Sequence, residues 1–265
     1  DDFYFGDNQV SIGMWVGAST TPNYYKGAKI IFDNITKEIT KLNNNKKKKT
    51  QFSNLNKINT FPITSCPWCG CNLISKNSFG YYEQGYKATK TSFDTKCINT
   101  DCAFSEELPI FYVDDKIYKN PPTLLFATVD KFAMISHREE GHKLFNSLDE
   151  SKMPPDLIIQ DELHLLSGPL GSITGLYESL VELLSTKGKR KPKIITATAT
   201  TRNTKHQIAM LYGNRELNIF PPMGVTYDDN FFSYVSTDST RKHIGFLPTG
   251  KTALNTQILL LGNLF

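Results

Sequence analysis

A chain of 265 residues, 39% hydrophobic and 21% charged, can bury a sizeable core as one large domain or as one domain and a small module. Its net charge of +4 is mild and draws on the run Lys46 to Lys49, which lies among asparagines without apolar periodicity and reads as a solvated loop rather than a nucleic-acid patch. There is no secretory signal and no apolar run of membrane-spanning length, and five cysteines do not suit a secreted disulfide framework; the expectation is a soluble, cytoplasmic protein with no membrane contact.

Ser11 to Val16, SIGMWV, reads as a buried strand. After a Gly/Ser/Thr turn, Ile30, Ile31, Ile35, Ile39 and Leu42 recur at helical spacing, so residues 1–45 form a strand and a helix. Residues 46–65 are Lys- and Asn-rich and read as a linker or insertion. Residues 66–104 hold all five cysteines with little helical pattern and read as a small module of their own.

A core pattern resumes over 105–236. TLLFATV (Thr123 to Val129), DLIIQDE (Asp156 to Glu162) and KIITATAT (Lys193 to Thr200) are candidate strands. They alternate with helical segments beginning at DKFAMISH, over ITGLYESLVELLS and over TKHQIAMLYG, with Gly213 just past the last. Such alternation predicts a parallel sheet covered on both faces. His137 and His142 read as surface helix residues, and Gly168, Gly171 and Gly175 as a loop after the acidic strand. Residues 237–265 read as the start of a further domain. The chain opens on Asp1 without a Met and closes on ILLLGNLF, so it is expected to be a fragment of a longer protein.

Cys66 and Cys69 form a C-x-x-C knuckle closed by Gly70, and Cys97 and Cys102 form a second pair. Two turns that each present two thiolates meet the needs of a tetrahedral Zn²⁺ site, while no thioredoxin-like strand and helix flank the knuckle to suggest redox chemistry. Cys71 is a spare that could replace Cys69 in a distorted knuckle. Between the pairs, Tyr81, Tyr82 and Tyr86 accompany Lys87 and Lys90. They either stack bases and neutralise phosphates or merely cover a ribbon too small to have a core of its own.

DLIIQDELH is the strongest chemical signal. A strand in a parallel sheet delivers its carboxyl end to the ligand crevice, which puts Asp161 and Glu162 there. Asp161 suits Mg²⁺ held through its water shell, and Glu162 suits orienting and deprotonating a water; the plain alternative is that both begin a surface turn. With Asp161-Glu162-Leu163-His164, the downstream Thr198-Ala199-Thr200, and the upstream LLFATVDKF and MWVGAS in one order, the sequence resembles the superfamily 2 DNA and RNA helicases. DELH resembles their motif II, of DExH type, TAT their motif III, and LLFATVDKF their motif Ib. DELHLLSGPLGSITGLYE, PPTLLFATVDKFA and the inserted CPWCG resemble more narrowly the helicase component of DISARM-type phage-defence systems.

The resemblance implies an α/β fold: a partial RecA-like parallel sheet flanked by helices, of the P-loop NTPase type, with a small inserted Cys₄ zinc ribbon. It implies ATP-driven movement on nucleic acid, with DNA the expected partner, against a second motor domain of the same chain and other defence-complex subunits. It assigns Asp161 and Glu162 to Mg²⁺-ATP and hydrolysis, and His164, Thr198 and Thr200 to coupling ATP state to domain closure. Thr128 and Lys131 fall where motif Ib meets the nucleic-acid backbone. The family's phosphate loop, its motif Ia and its arginine-bearing motif VI are not found in this sequence, so weak or no ATPase is expected of the 265-residue chain.

GFLPTGKT (Gly245 to Thr252) fits the phosphate-loop pattern G-x-x-x-x-G-K-[ST], but that loop needs an apolar strand ending at its first Gly and a helix starting at its Lys. VSTDSTRKHI precedes it and is polar, so His243 to Pro248 is read as a strand running through the motif, and the stretch as a decoy. Two rival functions stay open: a circularly permuted NTPase that uses Lys251, and a non-catalytic zinc-ribbon scaffold for nucleic acid.

Overall fold

The run Ile12–Trp15 forms strand β1 and is followed by the long helix α1 (Tyr25–Asn44), whose Ala28, Ile35, Ile39 and Leu42 recur on one face and are buried. This is seen in a computed structural model, which describes residues 9–44, 52–146, 149, 151–165, 168–198, 204–213, 215–220, 222, 226, 229–236, 238 and 241–264. It divides into two units, Asp1–Arg215 and Glu216–Phe265.

In the larger unit a short helix α2 (Phe52–Ile58) follows, then two hairpins, β2 (Ile74–Lys76) with β3 (Tyr82–Gln84) and β4 (Tyr86–Ala88) with β5 (Phe93–Thr95). The chain returns through β6 (Ile110–Phe111), α3 (Asp114–Lys119), β7 (Leu124–Ala127) and the single turn α4 (Val129–Phe132). Two 3-10 segments, Ala133–His137 and Glu139–Phe145, lead to β8 (Leu157–Gln160), α5 (Gly168–Leu184), β9 (Lys193–Thr196) and α6 (Thr204–Tyr212).

Strands β6, β1 and β7 form one parallel sheet in the order β6-β1-β7, and β8 pairs in parallel with β9. The fold is therefore mixed α/β built on small parallel sheets. Their inward residues, Leu125, Ala127 and Ile158, pack with Trp15, Ile117, Ile135 and Val181 of α5 in one core. The pleat sends alternate residues the other way, and there Leu124, Phe126, Leu157, Ile159 and Ile195 are exposed. Cover on both faces was expected; among the described residues this second face is covered at β1 and β6, where Met14 and Ile110 pack against the cluster of α1, and is exposed along β7, β8 and β9.

Three further differences concern local structure. The linker holds α2, whose Leu55 is 1% exposed, so one apolar residue anchors a polar segment. The cysteine hairpins share a core with α1: Leu73, Tyr86 and Phe93 pack in the same cluster as Ile35, Ile39 and Leu42. Hairpins this short have too little apolar surface to stand alone. Gly168, Gly171 and Gly175, expected in a loop, lie in the amino-terminal turns of α5, where packing against α6 overrides the low helix propensity of glycine.

Between α5 and α6 lies a polar seam. Thr174 is fully buried, and its hydroxyl and that of Tyr212 have no hydrogen-bond partner among the described residues. Burial raises the Glu178 carboxyl to about 7, and its charge in turn raises the Tyr212 phenol beyond what burial does. A carboxyl raised in the folded state contributes stability that is complete below its unfolded value near 4.5 and is lost as pH rises through 7. Glu178→Gln should flatten this slope, sparing the chain a loss of roughly 2 kcal/mol between pH 5 and 8. Urea midpoints across that range check it, and parallel pH profiles for the two proteins would refute it.

The smaller unit contains a two-residue hairpin, β10 (Asp229–Asn230) with β11 (Ser233–Tyr234), and helix α7 (Ala253–Leu264). Residues 241–250 are exposed and form no strand. The strand expected over His243 to Pro248 is absent there: no partner pairs with it among the described residues, and a lone strand has no stability in water.

Candidate functional site

The knuckle is built by the backbone. Gly70 N–H donates to the Cys66 carbonyl at 2.8 Å, Cys66 N–H donates to the Cys71 carbonyl at 2.8 Å, and Gly70 takes φ +74°, which closes the turn. Opposite it, Cys97 N–H donates to the Phe104 carbonyl at 2.9 Å and Cys102 N–H to the Asn99 carbonyl at 3.2 Å. The Sγ atoms of Cys66, Cys69, Cys97 and Cys102 all lie within 4.8 Å of one another. The Cys66–Cys102 separation is 3.9 Å and that of Cys69–Cys97 is 3.5 Å. A tetrahedron with Zn–S bonds of about 2.3 Å has edges of about 3.8 Å.

Four thiols in this arrangement could hold a metal ion such as zinc, while Cys71 Sγ points to the Asn72 carbonyl at 3.6 Å and is not among them. The Cys71 backbone N–H and its thiol neighbours lower the exposed Cys69 thiol to about 7, whereas burial pushes the Cys97 thiol up. Phe104 N–H, 3.5 Å from Cys102 Sγ, favours the charged sulfur, but burial and the neighbouring Cys69 and Cys66 thiols leave the Cys102 thiol raised.

The acidic strand end is equally specific in its backbone. Lys193 N–H donates to the Asp156 carbonyl at 2.8 Å and Ala197 N–H to that of Gln160 at 2.9 Å; the chain then turns so that Leu163 N–H reaches the Ala197 carbonyl at 3.0 Å. Leu163 is wholly buried and draws the turn inward, leaving Asp161, Glu162 and Thr198 exposed at the carboxyl ends of β8 and β9. Asp161 Oδ1 accepts from Glu162 N–H at 2.9 Å, and Glu162 Oε2 lies 3.3 Å from His164 Nδ1. Glu162 sits at φ +54°, a left-handed conformation that costs a side-chain-bearing residue about 1–3 kcal/mol and that clusters at functional sites. Thr200, expected beside Thr198, lies outside the described residues.

A crevice opens at the carboxyl ends of β1 and β7. A cavity of about 570 Å³ is lined there by Gly17, Ser19, Thr20, Thr128, Lys131 and Arg138, among others. Thr128 is exposed at its edge. Lys131 is 8% exposed: its Nζ lies 2.6 Å from Asp114 Oδ2, 3.2 Å from Asn23 Oδ1 and 5.9 Å from the centroid of Trp15. Burial raises the Asp114 carboxyl and Lys131 opposes that shift. Arg138 reaches the hydroxyl of Tyr24 and stacks over its ring.

Asp114 and Arg138 had no sequence signal, since nothing in the chain pairs an acid after FYV with a lysine 17 residues on. Lys131→Met strands Asp114 without its cation and should lower the unfolding free energy by about 3–5 kcal/mol. Adding Asp114→Asn should recover part of the loss. Equal urea midpoints for Lys131→Met and the parent would sink the pairing.

The described residues thus define an α/β protein with a crevice at the ends of β1 and β7, an exposed pair of acids at the end of β8, and a cysteine site able to hold a metal. No family model matches the chain. It is 32% identical to the DISARM protein DrmA of Bacillus paralicheniformis over 86% of its own length. The chain spans 22% of that relative's length. This similarity relates it to a DISARM protein, and no helix among the described residues is long and apolar enough to cross a membrane.

Proposed function

We propose that the chain is part of an ATP-dependent motor acting on nucleic acid, a superfamily 2 helicase or translocase, working in defence against phage. The observation that carries this reading is the pair Asp161 and Glu162 at the carboxyl end of parallel strand β8, beside Thr198 at the end of β9. The similarity to a DISARM protein supports the defence role. Bound ATP-Mg²⁺ would supply the phosphoryl group and the charge neutralisation. Among this chain's own groups, Asp161 is suited to the ion's water shell, and Glu162 to taking the proton of the attacking water, with His164 Nδ1 orienting its carboxylate. The exposed apolar face of Leu124, Phe126, Leu157, Ile159 and Ile195 is where further polypeptide of a complete motor domain would pack.

In the same reading Thr128 and the crevice beside it meet the nucleic-acid backbone, with DNA the expected form, while a second motor domain and other defence subunits are the protein partners. Lys131 then serves by holding that crevice in shape through Asp114 and Asn23. Zinc is proposed in the cysteine site as a structural ion. The test is ATP turnover by the full-length polypeptide that contains the chain, with and without DNA; a full-length protein that hydrolyses no ATP under either condition ends the motor reading.

A further inference from the structure

The hairpin β2–β3 ends in a five-residue turn, Asn77 to Tyr81, whose conformation is held by its own groups. Asn77 N–H donates to the Tyr81 carbonyl at 2.8 Å and Gly80 N–H to the Asn77 carbonyl at 2.9 Å. Asn77 Oδ1 accepts from Phe79 N–H and Tyr81 N–H, both at 3.0 Å, and Asn77 Nδ2 donates to Glu83 Oε1. Gly80 takes φ +80°, which a side chain would resist.

Strand β3 of the hairpin is tied to α1 along its length. Asn43 exchanges two hydrogen bonds with the backbone of Tyr82, at 3.1 and 2.8 Å, and Gln84 Nε2 donates to Thr36 Oγ1 at 2.7 Å. This fixed turn holds Phe79 at 81% exposure, with Tyr81 at 43%. Lys76 Nζ stands 5.1 Å from the centroid of Tyr82 at the same end of the hairpin.

We infer that this tip is a base-stacking element for single-stranded nucleic acid, with Phe79 as the platform. The inference rests on the nucleic-acid reading above and extends it to a part of the fold remote in sequence from the motor motifs. An aromatic residue buried nowhere, on a turn whose ordering is complete before any ligand arrives, offers a π-face at little further entropic cost. Its neighbours in the turn are Asn77, Ser78, Gly80 and the exposed Tyr81, so the tip is polar apart from two aromatic rings, each of which offers a π-face to a base. Lys76 supplies a cation for the phosphate, while the one acid of the hairpin, Glu83, is engaged by Asn77. Tyr86 has no part in this, since it is 2% exposed and its hydroxyl donates to the Ile63 carbonyl at 2.7 Å.

The experiment is fluorescence anisotropy of the 265-residue chain with labelled oligo-dT and oligo-rU, the two arms separating DNA from RNA. Phe79→Ala should weaken binding about tenfold, the size of one lost base stack, with zinc content and circular dichroism unchanged. Phe79→Trp should restore affinity and show quenched indole emission on binding. Binding that is indifferent to Phe79→Ala, or an unquenched Phe79→Trp, overturns the proposal and leaves the motor reading standing. A chain that binds neither oligonucleotide at low salt takes the nucleic-acid reading down with it. Self-association abolished by Phe79→Ala, with oligonucleotide affinity intact, would make the tip a protein contact and also overturn it.

Discussion

Cys97→Ser is expected to release the metal and unfold the cysteine hairpins, with the largest loss of stability of any single change considered. Structural zinc contributes on the order of 10–16 kcal/mol of binding free energy at neutral pH in small zinc domains, comparable to the entire stability of an ordinary domain. The hairpins cannot replace it: each strand has three residues, and their buried side chains, Leu73, Tyr86 and Phe93, depend on α1 for cover. Because that core is shared, the loss should spread to α1 and appear in the main thermal transition. Metal analysis should find one zinc per chain in the parent and none in the variant, while Cys71→Ser should change neither zinc content nor melting temperature. Acid should release the ion, since protons compete for the thiolates. A Cys97→Ser protein that keeps its zinc and its melting temperature would falsify the site.

Glu162→Gln in the full-length polypeptide should reduce ATP turnover by about two to three orders of magnitude while leaving ATP binding in place, because it removes a proton acceptor and preserves shape. Gln also suits the backbone comparison, since it bears the same left-handed constraint at φ +54° as Glu does. Asp161→Asn should instead weaken the Mg²⁺ dependence of binding. Lys251→Ala separates the rivals: a permuted phosphate-loop enzyme loses turnover, the motor proposed here keeps it, and a scaffold shows no turnover to lose. In the scaffold case neither substitution alters DNA binding. Phosphate release with and without DNA reads all of these, and a Glu162→Gln protein as active as its parent removes Glu162 from the mechanism.

Local signals were legible where the chemistry is local. The 3.6-residue spacing of Ile35, Ile39 and Leu42 marks α1, and the apolar runs before Asp161 and within KIITATAT mark β8 and β9, because burial on a helix or strand has a period that a sequence records. The spacing of the four pair cysteines likewise implied two thiol-bearing turns, and the structure brings their sulfurs together. The α2 helix and the glycines of α5 were not legible, because both depend on contacts with other elements that outweigh local propensity. GFLPTGKT shows the opposite failure: the letters fit, but the described residues form no strand that ends at its first Gly, and a phosphate loop is a strand and a helix as much as a pattern.

By itself the sequence determined the alternation of strands and helices, the pairing of acids at the end of an apolar strand, and the donor set of a metal site, since each follows from residue type and spacing along one segment. Only the tertiary structure decided that the cysteine hairpins lean on α1, that Lys131 is spent on Asp114 and Asn23, and that of the ribbon's aromatics Tyr86 belongs to the core while Phe79 stands in water. Those outcomes turn on which distant groups meet. Lys131 and Asp114, or Tyr86 and Phe61, are brought together by the folding of segments between them, and no periodicity along the chain encodes that meeting.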